Sequence, residues 1–365
     1  MSNRCLLLDP PDSAPTALYD LLRRSARGYK TVLALRAVLR AGMFDLGDRP
    51  RSVAGWARAL NLEERILSPV CELLAEAGVL ERRDPGYCPA PWTRTWLAQD
   101  GPLCQEAVVE NVVETCGLWG ELERALRRGP LDPWKEGLFG GSFLPALGAE
   151  SLVGEAQRSA ALVAQTPGFD QVRDLADLGG GHGLYSLALC ARCPDLHAEV
   201  LDLPGAKAQT EAWTARFASY VQDGNRGTRV RFTPTDIFAD PLGEERDAVL
   251  LFYNPGGKNP HLLERIHDCL RPGGLFVSKH AFYRREEGSK DPLSDVEWNM
   301  TAFPGVEKGP HVYWFAEDLC REEYMERLDR GFEVLAEYEA DAFASPDLGK
   351  FGDRLDSRMI ICRKR

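Results

Sequence analysis

Apolar positions recur at helical spacing through the first third of the chain. "YKTVLALRAVLRAGMFDLG", from Tyr29, keeps that spacing and stops at glycine. "SVAGWARALNLEERILSPVCELLAEAGVLERRDPGYCPA" predicts a short helix, a turn at Asn61, a second helix from about Glu63 and a stop at Gly78. A hairpin follows, with Asp84, Pro85 and Gly86 at its turn. Helix, turn, helix and wing is the winged-helix order. Residues 101 to 165 carry further helices around a Pro/Gly-rich stretch with several aromatics. From Val172 the pattern changes: "VRDLADLGGGHG", "HAEVLDLP", "TRVRFTPTDIF", "DAVLLFYN" and "GGLFVSKHAFY" are short apolar runs separated by helical stretches. Strands alternating with helices predict an α/β fold with a mainly parallel sheet and a site at its C-terminal strand ends. The expected division is 1–105 as a winged-helix-like domain, 106–168 as a helical linker that helps line a pocket, and 169–365 as the sheet domain.

Composition narrows the class of partner. Lys and Arg total 44 against 55 Asp and Glu, a net charge of −11, which disfavours a nucleic-acid backbone or an anionic membrane despite the winged-helix order. A small-molecule partner fits better. "MSNRCLLLDPPDSAP" lacks the apolar length of a signal peptide, and no later run approaches the roughly 18 uncharged apolar residues that span a bilayer, so a cytoplasmic protein is expected. The ten cysteines follow no framework spacing, and the C-x-x-C at Cys190 and Cys193 lacks a second ligand pair. No metal is expected.

The candidate chemistry begins at "DLADLGGGHGLYSLALC". An apolar strand runs into Gly179, Gly180, Gly181 and Gly183, and a helix follows from about Leu184, a corner that lets a ligand approach the backbone. Dinucleotide sites share such corners. The next strand, "AEVLDLPGA", ends in Asp202, placed to accept hydrogen bonds from both hydroxyls of a ribose. Nicotinamide and S-adenosylmethionine (SAM) sites have both features. A third, Asp236 in "TPTDIFAD", follows a strand and is flanked by Ile237 and Phe238, as suits an adenine amine between apolar walls. Asp177, Gly179, Asp202 and Asp236 together form the pattern of a SAM site.

With these residues the chain resembles the SAM-dependent small-molecule O-methyltransferases of plant caffeate and bacterial natural-product type. The resemblance rests on the winged-helix-like region, "LLAEAGVLER", "DLGGGHG", "PDLHAEVLDLP", "DIF", "LRPGG" at 270–274 and "WNM" at 298–300. It implies a Rossmann-like methyltransferase domain and a homodimer built through the N-terminal region. It also implies SAM contacts from Gly179, Gly181, Asp202, Leu203, Asp236 and Ile237, and from Phe169 in "TPGFD" near the methionine end. The acceptor pocket is expected to draw on Trp298, Asn299, Met300 and Phe303, together with Tyr253 and Asn254 and aromatics such as Trp119, Trp134, Phe139, Phe143, Tyr313 and Trp314.

One family element is missing. Relatives carry His-Asp-Trp after the fourth strand, and that histidine removes the acceptor's proton; here the segment reads "LLFYNPGGKNPHLLERI". His261 follows Asn259 and Pro260, which look like helix-capping residues. His280, at the end of the fifth strand, and His311, in "EKGPHVYWF", are the remaining catalytic candidates. The expected activity is methyl transfer from SAM to a small aromatic or polycyclic metabolite, by N-, C-, S- or atypical O-methylation. Two alternatives stand beside it: an enzyme of this fold that keeps SAM without transferring its methyl, for hydroxylation, decarboxylation or cyclisation, and a winged-helix transcription regulator.

Overall fold

The structure is a computed structural model that describes residues 15–101, 103–132, 141–223, 227–302, 307–344 and 356–365. The chain separates into two compact units, 1–113 and 114–365, and the division falls inside the Glu106–Trp119 helix.

In the first unit the helices Thr16–Arg40, Val53–Leu60 and Glu64–Glu76 are followed by a two-stranded hairpin, β1 Leu80–Arg83 and β2 Gly86–Pro89. Ser52 caps its helix by accepting the Gly55 N–H, and Asn61 ends that helix in the left-handed region at φ 55°. Trp56 joins helix to hairpin: it is fully buried and its indole N–H donates to the Tyr87 carbonyl at 3.0 Å. Gly86 has no substitute at this junction, because a Cβ there would stand 2.4 Å from the Arg51 carbonyl oxygen. Leu39, Met43, Phe44, Leu67, Cys71 and Leu74 close the core around Trp56.

The second unit is built on a seven-stranded sheet of order β5-β4-β3-β6-β7-β9-β8. The strands are β3 Asp174–Leu178, β4 His197–Asp202, β5 Val230–Pro234, β6 Arg246–Phe252, β7 Leu270–Phe282, β8 Phe332–Glu339 and β9 Asp356–Lys364. The five strands from β3 to β7 are parallel, as the alternating grammar predicts. The chain steps outward from β3 to β4 and β5, then returns to place β6 on the other side of β3. The strand order therefore reverses between β3 and β6, which opens a crevice at their C-terminal ends. Near-continuous apolar runs such as Val249, Leu250 and Leu251 suit strands covered on both faces. Two strands go beyond the sequence expectation: β9 lies antiparallel between β7 and β8 and brings Met359, Ile360 and Ile361 into the core.

Along β7, successive side chains face opposite layers. Lys279 points to the side covered by the Glu155–Ala164 and Leu184–Arg192 helices. His280 points to the side of Tyr324, on the Arg321–Asp329 helix, with the two rings 6.4 Å apart.

Candidate active site

The glycine corner after β3 is folded by local necessity. Gly179, Gly181 and Gly183 all have positive φ, at 62°, 52° and 70°, which side-chain-bearing residues adopt only with strain. Gly179 is required twice over, since a Cβ there would fall 1.6 Å from the Asn254 amide nitrogen, contributed by the turn after β6. Asp202, at the end of β4, closes the corner: its Oδ2 accepts the Gly181 N–H at 2.8 Å and its Oδ1 the Leu203 N–H at 2.6 Å. Burial raises its pKa against these two hydrogen bonds. Each oxygen keeps a further lone pair for a ligand.

Asp177 lies beneath the corner. It is 1% exposed, Oδ2 accepts the Ser186 hydroxyl at 2.7 Å, and Oδ1 has no hydrogen-bond partner among the described residues. Burial pushes its pKa up to about 6 over the opposing Ser186 bond. Because the folded value lies above the 3.8 of the free side chain, its contribution to stability is full below that value and is lost as pH rises through about 6. Asp177→Asn should therefore melt at a higher temperature than the parent at about pH 8, by up to roughly 3 kcal/mol of stability, and lose that advantage by about pH 4. A gap that does not change with pH in thermal melts would exclude the buried charge as its cause.

His182 fastens the same corner. Its Nδ1 accepts the Leu184 N–H at 3.1 Å, so its Nε2 carries the proton toward Ser151 Oγ at 3.3 Å. Ser151 in turn donates to the Leu147 carbonyl at 2.7 Å. The imidazole thus shapes the loop.

At the ends of β6 and β7 the chain makes a tight turn. Tyr253 is left-handed at φ 49°, its N–H donates to the Lys279 carbonyl at 2.7 Å, and the Gly257 N–H returns to the Asn254 carbonyl at 3.0 Å. Asn259 caps the Pro260–Cys269 helix by accepting the His261 N–H at 2.8 Å, as expected from its place before proline.

Lys279 was not among the candidates the sequence offered. It is 0% exposed, and its ammonium donates to Glu155 Oε1 at 2.7 Å, Tyr185 Oη at 2.9 Å and Ser159 Oγ at 3.1 Å. The rings of Tyr185, Phe252 and Tyr253 stand 4.1, 4.7 and 5.0 Å from it. A lysine inside the apolar run "LFVSKHAF" was the available signal, because a charge is not buried there without a partner.

The two candidate histidines do not meet. His280 is 2% exposed behind the turn, with its pKa driven well below the usual value by burial and by the charges of Lys258 and Lys279. His311 is braced in the segment after the Pro292–Met300 helix: Nδ1 lies 3.0 Å from Asp295 Oδ2, and the ring stacks on Tyr283 at 5.1 Å. Burial would raise the Asp295 pKa, but hydrogen bonds from Ser289, Val312 and His311 outweigh it and hold the carboxyl below its usual range.

Of the expected acceptor residues, Trp298 and Asn299 act as struts. Trp298 Nε1 donates to the Gly309 carbonyl at 3.0 Å and Asn299 Nδ2 to the Pro310 carbonyl at 2.8 Å. Met300 packs with Leu118 and Leu131 in the core. These struts carry Tyr313, whose ring lies 6.2 Å from Trp298 and 6.4 Å from Tyr253. Phe303 lies outside the described residues, as do Trp134 and Phe139.

The structure brings Gly179, Gly181, Asp202 and Asn254 together around the corner, with Asp177 below. Leu203 is 58% exposed beside Asp202, and Asp236 is exposed at the neighbouring strand end, where its Oδ1 accepts the Phe238 N–H at 2.9 Å. Phe169, at 1%, and Ile237, at 6%, are core residues, and Ile237 packs against Leu201 and Val249 among others. Among the described residues no group of three or more His, Cys, Asp or Glu is arranged to hold a metal ion, and no helix is long and apolar enough to cross a membrane.

Residues 151–309, which contain the glycine corner, Asp202, Asp236 and the turn at Asn254, match the family of O-methyltransferase domains. This part of the chain is similar to an O-methyltransferase domain. The chain is a SAM-dependent methyltransferase. The chain is 25% identical to an uncharacterized protein of Methanocaldococcus jannaschii over 98% of its own length and all of the relative's. It is 29% identical to the 3-hydroxy-5-methyl-1-naphthoate 3-O-methyltransferase of Streptomyces sahachiroi, over 86% of this chain and 91% of that one. The structure of human N-acetylserotonin methyltransferase in complex with SAM shares the fold, with a TM-score of 0.65, 20% identity and coverage of 97% and 99%.

Proposed function

We propose that the protein transfers the methyl group of SAM to a small aromatic or polycyclic metabolite. The observation that carries this reading is Asp202, a carboxylate held by two backbone N–H groups at the glycine corner where the strand order reverses. There it would take the ribose hydroxyls of SAM, with Asp236 and Leu203 toward the adenine and Gly179, Gly181 and Asp177 below the methionine part. Bound SAM supplies a methyl group already activated on a sulfonium. Tyr253, Tyr313 and Trp298 give the flat walls that suit an aromatic acceptor.

No histidine stands between Tyr253 and Pro260, where relatives hold their base. In-line positioning at about 3 to 3.5 Å supplies much of the acceleration in such a transfer, and a general base adds roughly 10²- to 10⁴-fold. The nucleophile is therefore one that ionises readily or needs no deprotonation: an acidic hydroxyl, an amine, a thiol or an activated carbon. A hydroxyl stands first, since the Streptomyces sahachiroi relative is named for O-methylation of a naphthoate.

The first helix supports a homodimer. Leu18, Tyr19, Leu21 and Leu22 are each more than half exposed along one stretch of it, and a second copy of the chain would cover them.

The deciding experiment incubates the protein with methyl-labelled SAM and a panel of hydroxylated and nitrogen-bearing aromatic acceptors. Labelled product with stoichiometric S-adenosylhomocysteine is the expected result. A chemically altered acceptor with SAM unchanged would sink this reading and support an enzyme that holds SAM for another reaction.

A further inference from the structure

Behind the turn that replaces the missing base lies a small cavity of about 10 Å³, lined by Tyr253, Asn254, Lys258, His280, Ala281 and Tyr313 among others. That volume is about what one water molecule needs, provided polar partners are present. One partner is waiting: His280 Nε2 is buried and has no hydrogen-bond partner among the described residues. Buried polar atoms of this kind are rare in native proteins and usually point to a bound water or ligand.

Lys258 does not compete for that nitrogen. Its ammonium donates to the Tyr313 carbonyl at 2.6 Å and the Ala281 carbonyl at 3.1 Å, and it pairs with Asp318 at 3.3 Å. Gly257 keeps the approach open, because a Cβ there would stand 2.3 Å from His280 Cε1 and 2.8 Å from Nε2. Tyr253 and Asn254, at the front of the cavity, belong to the turn that meets the glycine corner. The cavity thus connects a buried imidazole with the place where the acceptor is expected.

We infer that this cavity binds a single water molecule on His280 Nε2, and that the water passes the acceptor's proton to that nitrogen. The inference rests on the methyl-transfer reading above and supplies its missing proton acceptor. In the step, the acceptor's O–H bond breaks and its proton joins the water. One of the water's own protons forms the N–H bond at Nε2, and the acceptor oxygen keeps the electron pair with which it takes the methyl group. The imidazolium is disfavoured by burial and by the nearby Lys258 and Lys279 charges, so it returns the proton through the same water after product leaves. A base so weakened suits only an acidic hydroxyl, phenolic or enolic, and not an aliphatic alcohol.

Two variants, read by structure, kinetics and calorimetry, test this. A high-resolution crystal structure of the protein with S-adenosylhomocysteine should show one water within about 3.2 Å of His280 Nε2. Gly257→Ala, whose methyl would occupy that approach, should lose the water. It and His280→Gln should slow single-turnover methyl transfer about 10²- to 10³-fold, while SAM affinity by calorimetry stays within about twofold. The loss should shrink for an electron-poor analogue of the acceptor that is already ionised, a dependence that mere loosening of the fold would not produce. A dry cavity in an active enzyme, or full-rate transfer by Gly257→Ala with its water gone, overturns the relay alone. Failure of the wild type to methylate any acceptor overturns the methyl-transfer reading itself, and the relay with it.

Discussion

Asp202→Ala is expected to weaken SAM binding by at least about 100-fold. The carboxylate would make two charge-assisted hydrogen bonds to a ribose diol, and bonds of that kind contribute roughly 1.5 to 3 kcal/mol each. The substitution also frees the Gly181 and Leu203 N–H groups that now donate to Asp202 at 2.8 and 2.6 Å, so the corner loses its shape as well as its ligand. Asp202→Asn separates the two effects. The amide oxygen can still accept one backbone N–H, so the variant should melt closer to the parent while binding SAM about tenfold or more weakly. Calorimetry with SAM checks both, and undiminished affinity in either variant would remove Asp202 from the ribose site.

The second large effect concerns Lys279 and Glu155. All three donors of the ammonium have partners, and the pair is 0% and 7% exposed at its side chains. Glu155→Ala would remove the carboxylate paired with this buried cation, and breaking such pairs costs about 3 to 5 kcal/mol. Urea or thermal unfolding should register that loss. Glu155→Leu combined with Lys279→Met should recover most of it, since apolar replacements of similar volume are often neutral or stabilising. If the double variant is as unstable as Glu155→Ala, then shape around Tyr185 and Tyr253 matters more than charge.

Much of the fold was legible because it depends on local chemistry. The glycine corner, the parallel strands and the Asn259 cap each follow from a residue's own backbone preferences or from a short apolar run. Asp202 and Gly179 could be placed for the same reason. What could not be read depends on partners far along the chain. The β9 strand is paired on both sides, yet its apolar run is only "MIIC" between charged residues, and nothing local names β7 as its neighbour. Lys279 and Glu155 sit 124 positions apart, beyond the reach of any periodicity. Phe169 and Ile237, which resemblance makes cofactor contacts, are buried, and their packing depends on residues far along the chain. The bracing of His311 by Asp295, sixteen positions away, likewise required the fold.

The position of β9 also bears on how the enzyme becomes competent. Its pairing with β7 joins residues roughly eighty positions apart, among the costlier loop closures in the sheet. Until that pairing forms, β7 is an exposed edge and neither Lys279 nor His280 is sealed from water. The β3, β4 and β5 strands and the glycine corner can assemble earlier from shorter connections. A refolding chain should therefore regain affinity for SAM before it regains turnover, with the interval set by the arrival of one antiparallel strand.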